Sequence, residues 1–282
     1  MKTILIPTDF SKNAYCALHY ATQLFAAEKC KFIIVHSFEN QVTHLTSRVD
    51  IGKTEAVVEE LYNTYENKCD EVKHKIILDT NRDNHSFKAI ATSLKLSRAI
   101  NKLIEKEQVD FVVMGSKGST GARDILMGSN TLAMIQKIKK APLLVIPHGI
   151  DYTPIEKIAF ASGLKRGFAE NELNSLLYLS LLHNASIQVL HLHKKEKMTE
   201  IQTANLHHLS ALLKKSKPEN NWLQGGTDVY DAITTFITKE HIDLLSMIYY
   251  KHNAIVRLFR EATVRDIAKY ALVPFLIIPK QD

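Results

Sequence analysis

Glycine is scarce in this chain, ten in 282 residues, and cysteine is scarcer, with only Cys16, Cys30 and Cys69. The cysteines stand too far apart for a Cys-x-x-Cys metal or redox site, and an odd count without a secretory leader argues against a disulfide framework, so reduced thiols in or near the core are expected. Long apolar runs are missing as well. The opening MKTILIPTDF has one lysine and an apolar run of about four, too short for the core of a signal peptide, and no later stretch reaches the roughly 20 residues of a membrane span. A cytoplasmic protein without a membrane partner is therefore expected. Neither sign of charge dominates: the formal net charge is +6, and the lysine runs KKEK (194–197) and KKSK (214–217) are dispersed and read as solvated helix faces. No basic-plus-aromatic signature accompanies them, so no nucleic-acid partner is expected. With 45% hydrophobic and 23% charged residues the composition is that of an ordinary globular protein, which excludes disorder.

What is present is alternation. Short β-branched runs (TILIP, KFIIVH, FKAIA, DFVVMG, LLVIP) are separated by helix-like stretches at Asn13–Glu28, from about Thr54, Ser97–Lys106 and Asn130–Lys140. That order implies a parallel sheet covered by helices, and continuous runs such as FIIV and LLVI fit strands buried on both faces. The series then starts again with KIAFAS at Lys157, SIQVLH at Ser186 and FLIIP at Phe275. AINKLIEKEQVDFVVM from Ala99 and AITTFITKEHIDLLSM from Ala232 share Ala, Ile, Ile, Lys, Glu, Asp and Met in register. The period of about 133 residues is far above that of a solenoid and marks a duplicated domain. The expected domains are 1–148 and 155–282, joined by HGIDYTP (148–154).

Four of the ten glycines fall in one place, MGSKGSTGARDILMGSN (114–130), behind an apolar strand and ahead of a helical pattern. In an open parallel sheet, ligands sit beyond the carboxyl ends of the strands. Two such ends are unusual here. Pro7 closes the first strand and leaves Thr8 and Asp9 in the turn before a helix, while Gly115 and Gly118 allow a sharp turn with positive φ and unshielded amides. Ser129 or Asn130 is then expected to cap the next helix, whose N-terminal amides and dipole suit an anion, most simply a polyphosphate. Plainer readings stand beside this one: Asp9 or Ser11 as a helix cap, and the glycines as a surface turn without a ligand. Lys117 precedes Gly118, so the loop is not a Walker A loop, and there is no dinucleotide GxGxxG. His191 and His193 could form a metal pair, but His191 falls where the first copy has His36, so the repeat explains it. No catalytic Ser/His/Asp or Cys/His set can be assembled, and no protein metal site is expected.

The spacing Gly-x2-Gly-x9-Gly-Ser behind VVMG, paired with PTDFS, resembles the nucleotide-binding branch of the universal stress protein family, over both copies in tandem. The resemblance implies two Rossmann-like, doubly wound α/β domains of the adenine nucleotide alpha hydrolase-like kind, forming an intramolecular pseudo-dimer, with a further homodimer left open. It implies ATP, bringing Mg²⁺ on its phosphates, as the ligand. Asp9 would contact the ribose, and the backbone at Pro7 and Thr8 the adenine. The loop running from Met114 through Gly115 and Gly118 to Gly128, Ser129 and Asn130 would hold the phosphates. Ser37 would line the adenine pocket where a valine is more usual in the family. In the second copy Gly163 replaces Asp9, Ile248 replaces Gly115, and Arg260 and Glu261 stand opposite Gly128 and Ser129, so no ATP is expected there. The implied function is an ATP-binding, nucleotide-dependent stress-response regulator with an unknown protein partner; a slow ATPase, with Arg123 and Asp124 as candidate groups, and a scaffold without nucleotide are the alternatives.

Overall fold

The computed structural model describes residues 1–46, 51–118, 127–169, 171–191, 198–216, 218–222, 229–249 and 273–280. The chain divides into two compact units, Met1–Tyr152 and Thr153–Asp282. The division falls inside the segment read as a linker. Tyr152 stays with the first unit because its ring meets that of Tyr20 edge-on at 5.2 Å.

The first unit runs β1 (Lys2–Pro7), α1 (Lys12–Leu24), β2 (Cys30–Ser37), α2 (Glu39–Thr46), α3 (Ile51–Thr80), β3 (His85–Thr92), α4 (Leu96–Glu107), β4 (Phe111–Gly115), α5 (Ser129–Lys137) and β5 (Leu143–Ile146). Its strands lie in the order β3-β2-β1-β4-β5, and the pairs β1–β2, β1–β4, β2–β3 and β4–β5 are parallel. Ile4, Leu5, Ile6, Phe32, Ile33, Ile34, Val112 and Val113 are wholly inaccessible, as strands covered on both faces require. The chain order reverses between β1 and β4, so their carboxyl ends flank a crevice. That crevice is where the unusual sequence lies.

The second unit runs β6 (Lys157–Ser162), α6 (Asn174–His183), β7 (Ser186–His191), α7 (Glu200–Leu212), β8 (Glu219–Trp222), α8 (Val229–Lys239), β9 (Leu244–Tyr249) and β10 (Phe275–Pro279). Its strands lie in the order β8-β7-β6-β9-β10, again through parallel pairs. Local details recur between the units. Phe10 and Leu164 both take positive φ, 64° and 53°, and their amides donate to the hydroxyls of Thr8 and Ser162 at 3.0 and 3.2 Å. Asp110 accepts from Thr3 N as Asp243 does from Lys157 N, at 2.8 and 2.9 Å. Gln108 and His241 share a left-handed φ of 50° and 52°.

Helices α2, α6 and α7 and strand β8 are absent from the sequence reading. Helix α6 (NSLLYLSLLH) is apolar around most of its circumference, so it shows no stripe to read. Helix α7 carried a readable signal: Thr199 and Gln202 form a reciprocal capping box. Strand β8 is polar, ENNW, and joins β7 partly through side chains, with Gln188 donating to Glu219 and Asn221 to Gln188, both at 3.0 Å. The run KKEK and the loop residues 119–126 lie outside the described residues.

Candidate functional site

At the end of β1, Thr8 N still donates to Val35 O at 2.9 Å, and the chain then leaves the sheet. The turn is tied by its own side chains. Thr8 Oγ1 accepts from Phe10 N at 3.0 Å and Asp9 Oδ1 accepts from Ser11 N at 3.1 Å. Ser11, not Asp9, is the N-cap of α1, its hydroxyl accepting from Ala14 N at 3.2 Å. Asp9 is thereby released from capping. Phe10 sits in a backbone region unfavourable to a bulky residue by about 1–2 kcal/mol, and its ring packs against His36 at 4.4 Å and Tyr65 at 6.1 Å. The buried His36 must carry its proton on Nδ1, because that atom lies 2.8 Å from the Thr8 carbonyl, which only accepts. Burial lowers the pKa of His36 and favours the neutral ring.

From the neighbouring strand, the loop after β4 folds back over this turn. A Cβ placed on Gly118 would lie 2.5 Å from Asp9 Oδ2, so the carboxylate rests directly against the glycine backbone. A Cβ on Gly115 would lie 2.7 Å from Asn13 Nδ2 and 3.2 Å from the Asn13 carbonyl. Gly128 differs from both. The nearest atoms to its Cβ would be Gly118 N at 3.5 Å, Lys117 Cα at 3.6 Å and Ser116 O at 3.7 Å, ordinary contact distances. Its φ of −68° and ψ of 157° suit any residue. The fold therefore has room for a Cβ at Gly128, and the bare backbone there leaves that position, beside the Gly118 nitrogen, unfilled.

Two expectations need correction. Among the described glycines only Gly149 has positive φ, 77°, so Gly115 and Gly118 serve close approach of other groups and not a left-handed turn. The N-cap of α5 is Gly128 itself, which makes no side-chain cap bond; Ser129 and Asn130 are the first two helical residues and are exposed. The consequence favours an anion more than the expectation did. With no cap side chain, the first-turn amides of a helix need an outside acceptor.

Asp9, Gly118 and Gly128 are thus brought together from three places in the sequence. Pro7 ends β1 beside Val35, and Thr8 is buried behind the turn. Met114 lies in β4 opposite Val145, its side chain 6% exposed. Ser37 ends β2, and its hydroxyl donates to Leu94 O at 2.6 Å. With its hydroxyl committed to that carbonyl, the serine is a smaller departure from an apolar floor than its composition suggests. Sequence reasoning missed Asn13, Ser116 and Thr131, all buried around the loop. An asparagine in the first turn of a helix that already has a serine cap was the available signal, since asparagine is a poor helix former without a partner. Arg123 and Asp124 lie outside the described residues.

The sequence model for the universal stress protein family matches residues 1–147, and the chain belongs to that family. The universal stress protein MJ0577 of Methanocaldococcus jannaschii is 30% identical over an alignment of 154 residues, covering 51% of this chain and 94% of that protein. Among solved structures, a universal stress protein from Archaeoglobus fulgidus superposes with a TM-score of 0.65 at 17% identity, covering 99% of this chain and 97% of that one. A functionally unknown protein, PA1789 from Pseudomonas aeruginosa, does so with a TM-score of 0.58 at 11% identity, covering 99% and 92%. These two likenesses establish a shared α/β fold over nearly the whole chain. No helix among the described residues is long and apolar enough to cross a membrane.

Proposed function

We propose that the first unit binds ATP in the crevice between β1 and β4, and that the chain is a nucleotide-dependent stress-response regulator or interaction module of the cytoplasm. The observation that carries this reading is the space at Gly128. Its backbone could accept a Cβ, which would lie 3.5 Å from the Gly118 nitrogen, yet the residue is a bare glycine, beside a helix N-terminus with no side-chain cap. Amides at such a terminus attract phosphate. The Asp9 carboxylate, which rests against Gly118, would meet a ribose hydroxyl, and the backbone at Pro7 and Thr8 with Ser37 at the end of β2 would line the base. Met114, Gly115, Ser129 and Asn130 complete the loop that would enclose the phosphates, and Mg²⁺ would enter with those phosphates alone.

The reading is of binding and not of turnover: occupancy would shift the loop and so change what the surface offers a protein partner. The second unit would bind no ATP. By strand register Ile248 stands where Gly115 does, and Gly163 occupies the turn position of Asp9. The proposal extends to an intramolecular pairing of the closing strands Leu143–Ile146 and Phe275–Pro279, as the family resemblance implies. Native mass spectrometry of the purified full chain tests the central claim. One ATP per chain, retained or readily loaded, is expected; a folded chain that neither retains nor takes up ATP at millimolar concentration would overturn it.

A further inference from the structure

Three successive carbonyl groups in the loop after β4 each have a dedicated donor. Thr131 Oγ1 donates to Gly115 O at 3.0 Å, Gly128 N to Ser116 O at 2.8 Å, and Asn13 Nδ2 to Lys117 O at 2.6 Å. The first two donors come from α5 and its cap. The third comes from α1, across the crevice. A trans peptide is planar, with its C=O and N–H pointing opposite ways, so holding Lys117 O against α1 turns the N–H of Gly118 away from α1. That nitrogen is the atom nearest the missing side chain of Gly128.

Asn13 is costly as a mere packing residue. It is 6% exposed, and its Oδ1 is buried with no hydrogen-bond partner, a penalty that an apolar side chain would avoid. The amide must present its nitrogen to the loop, because the Lys117 carbonyl only accepts. Gly115 fits the same account. Any side chain there would strike the Asn13 carboxamide, 2.7 Å from the Cβ position, so the first glycine of the loop makes room for Asn13.

We propose that Asn13 is a positioning residue for phosphate recognition: it clamps the Lys117–Gly118 peptide so that the Gly118 amide faces the ligand's phosphates. This rests on the ATP reading of the site, and the test separates the two. In the full chain, Asn13→Asp replaces the donor with an acceptor of the same shape, and Asn13→Ala removes it with a better helix former, so that at least one variant stays folded. Affinities for ATP and, by competition, for adenosine are measured by calorimetry, together with amide hydrogen exchange at residues 115–118 without ligand. The expected result is a loss of at least about 10-fold for ATP, the equivalent of one charge-assisted hydrogen bond, with adenosine changed by less than about twofold and exchange at Gly118 accelerated. Equal losses for ATP and adenosine, or unchanged ATP affinity, would overturn the clamp. If the parent chain bound neither ligand, the ATP reading would fall; the exchange arm would still decide the clamp, since unaltered protection at residues 115–118 in both variants refutes it.

Discussion

Replacing Gly128 by valine separates what the fold needs from what the ligand needs. Valine adopts the φ of −68° and ψ of 157° found at this position without strain. Its Cβ would meet Gly118 N, Lys117 Cα and Ser116 O at 3.5–3.7 Å, contacts that need no neighbour to move. At an N-cap, valine is worse than glycine by on the order of 1 kcal/mol. Loss of glycine's freedom in the unfolded chain returns about 0.4–1 kcal/mol. The net change in stability is then under about 1 kcal/mol, a shift of about 2–4 °C at most in the melting temperature of a unit this size. Binding should respond very differently. The branched side chain covers the Gly118 amide and excludes phosphate from it, forfeiting a charge-assisted hydrogen bond of about 1.5–3 kcal/mol. That alone raises Kd by roughly 10- to 150-fold, before any steric exclusion. Valine is preferable to arginine, the residue at the matching place in the second copy, because a guanidinium would bring phosphate-binding charge of its own. Calorimetry gives Kd, and melting curves with and without ATP provide the control: at 100 times Kd the ligand stabilises the parent by about 2.7 kcal/mol, an increment the variant should lose. A folded Gly128→Val chain with parental affinity would refute the argument that the space at Gly128 is the phosphate site.

Two further predictions concern groups outside the crevice. Lys31 and Lys88 both bond the Glu107 carboxylate, at 2.7 and 3.0 Å, and hold its pKa down to about 2. A depressed carboxylate contributes stability that is present above its ordinary value near 4.5 and lost as pH falls toward about 2. Glu107→Gln should therefore cost on the order of 1 kcal/mol at neutral pH, discounted because Lys88 is nearly half exposed, and the difference between the two denaturation curves should shrink steadily below pH 4.5 and vanish near pH 2; a pH-independent difference would rule out the ion-pair account. Burial pushes the thiols of Cys30 and Cys69 up to about 12, so at pH 8 only about one in ten thousand of each is thiolate. Alkylation of the native chain followed by peptide mapping should label the half-buried Cys16 first; early labelling of Cys69 would contradict its burial in α3, where its thiol donates to Ile90 O of β3 at 3.7 Å.

The parts of this fold legible in the sequence are those where one physical demand dominates the residue choice. Strands buried on both faces can be little else than TILIP, FIIV or LLVI, and a topological reversal between β1 and β4 places PTDFS beside MGSKG in any such sheet. The elements missed are held by less repetitive means: α6 by near-uniform apolarity, α7 by its cap, and β8 by side-chain hydrogen bonds to Gln188 of β7. Within the crevice, the sequence marks glycines but not their reasons. Gly115, Gly118 and Gly128 look alike in a string, yet one makes room for Asn13, one receives the Asp9 carboxylate, and one stands where its neighbours would accept a Cβ. Only neighbours far away in the sequence tell these apart. The same holds for Asn13, whose partner, Lys117 O, lies 104 residues along the chain.

In the second unit, the proposed lack of an ATP site would rest on more than the missing acidic residue. Among the described residues, the nearest atom to a Cβ on Gly163 would be Lys165 Cγ at 3.8 Å, so none of them blocks a side chain at its first atom. The turn around it, however, is occupied from α7: Gln202 Nε2 donates to Gly163 O at 3.0 Å and Asn205 Nδ2 to Leu164 O at 2.8 Å. Beyond the turn, the chain from β6 to α6 runs through a long connection closed by Arg166 and the fully buried Glu172. On the other side of the crevice, Ile248 puts a β-branched side chain at the register position of Gly115. Polar groups committed to one another in this way would have to be released before a ligand could enter, each at a cost of about 1–3 kcal/mol when left unpaired. Gly163→Asp should accordingly fold normally and leave the ATP stoichiometry of the chain at one, as should Gly163→Ala, the control without a carboxylate. A second equivalent bound in calorimetry by the first variant and not by the second would mean that the carboxylate was the only missing part and that the contacts from α7 do not close the site.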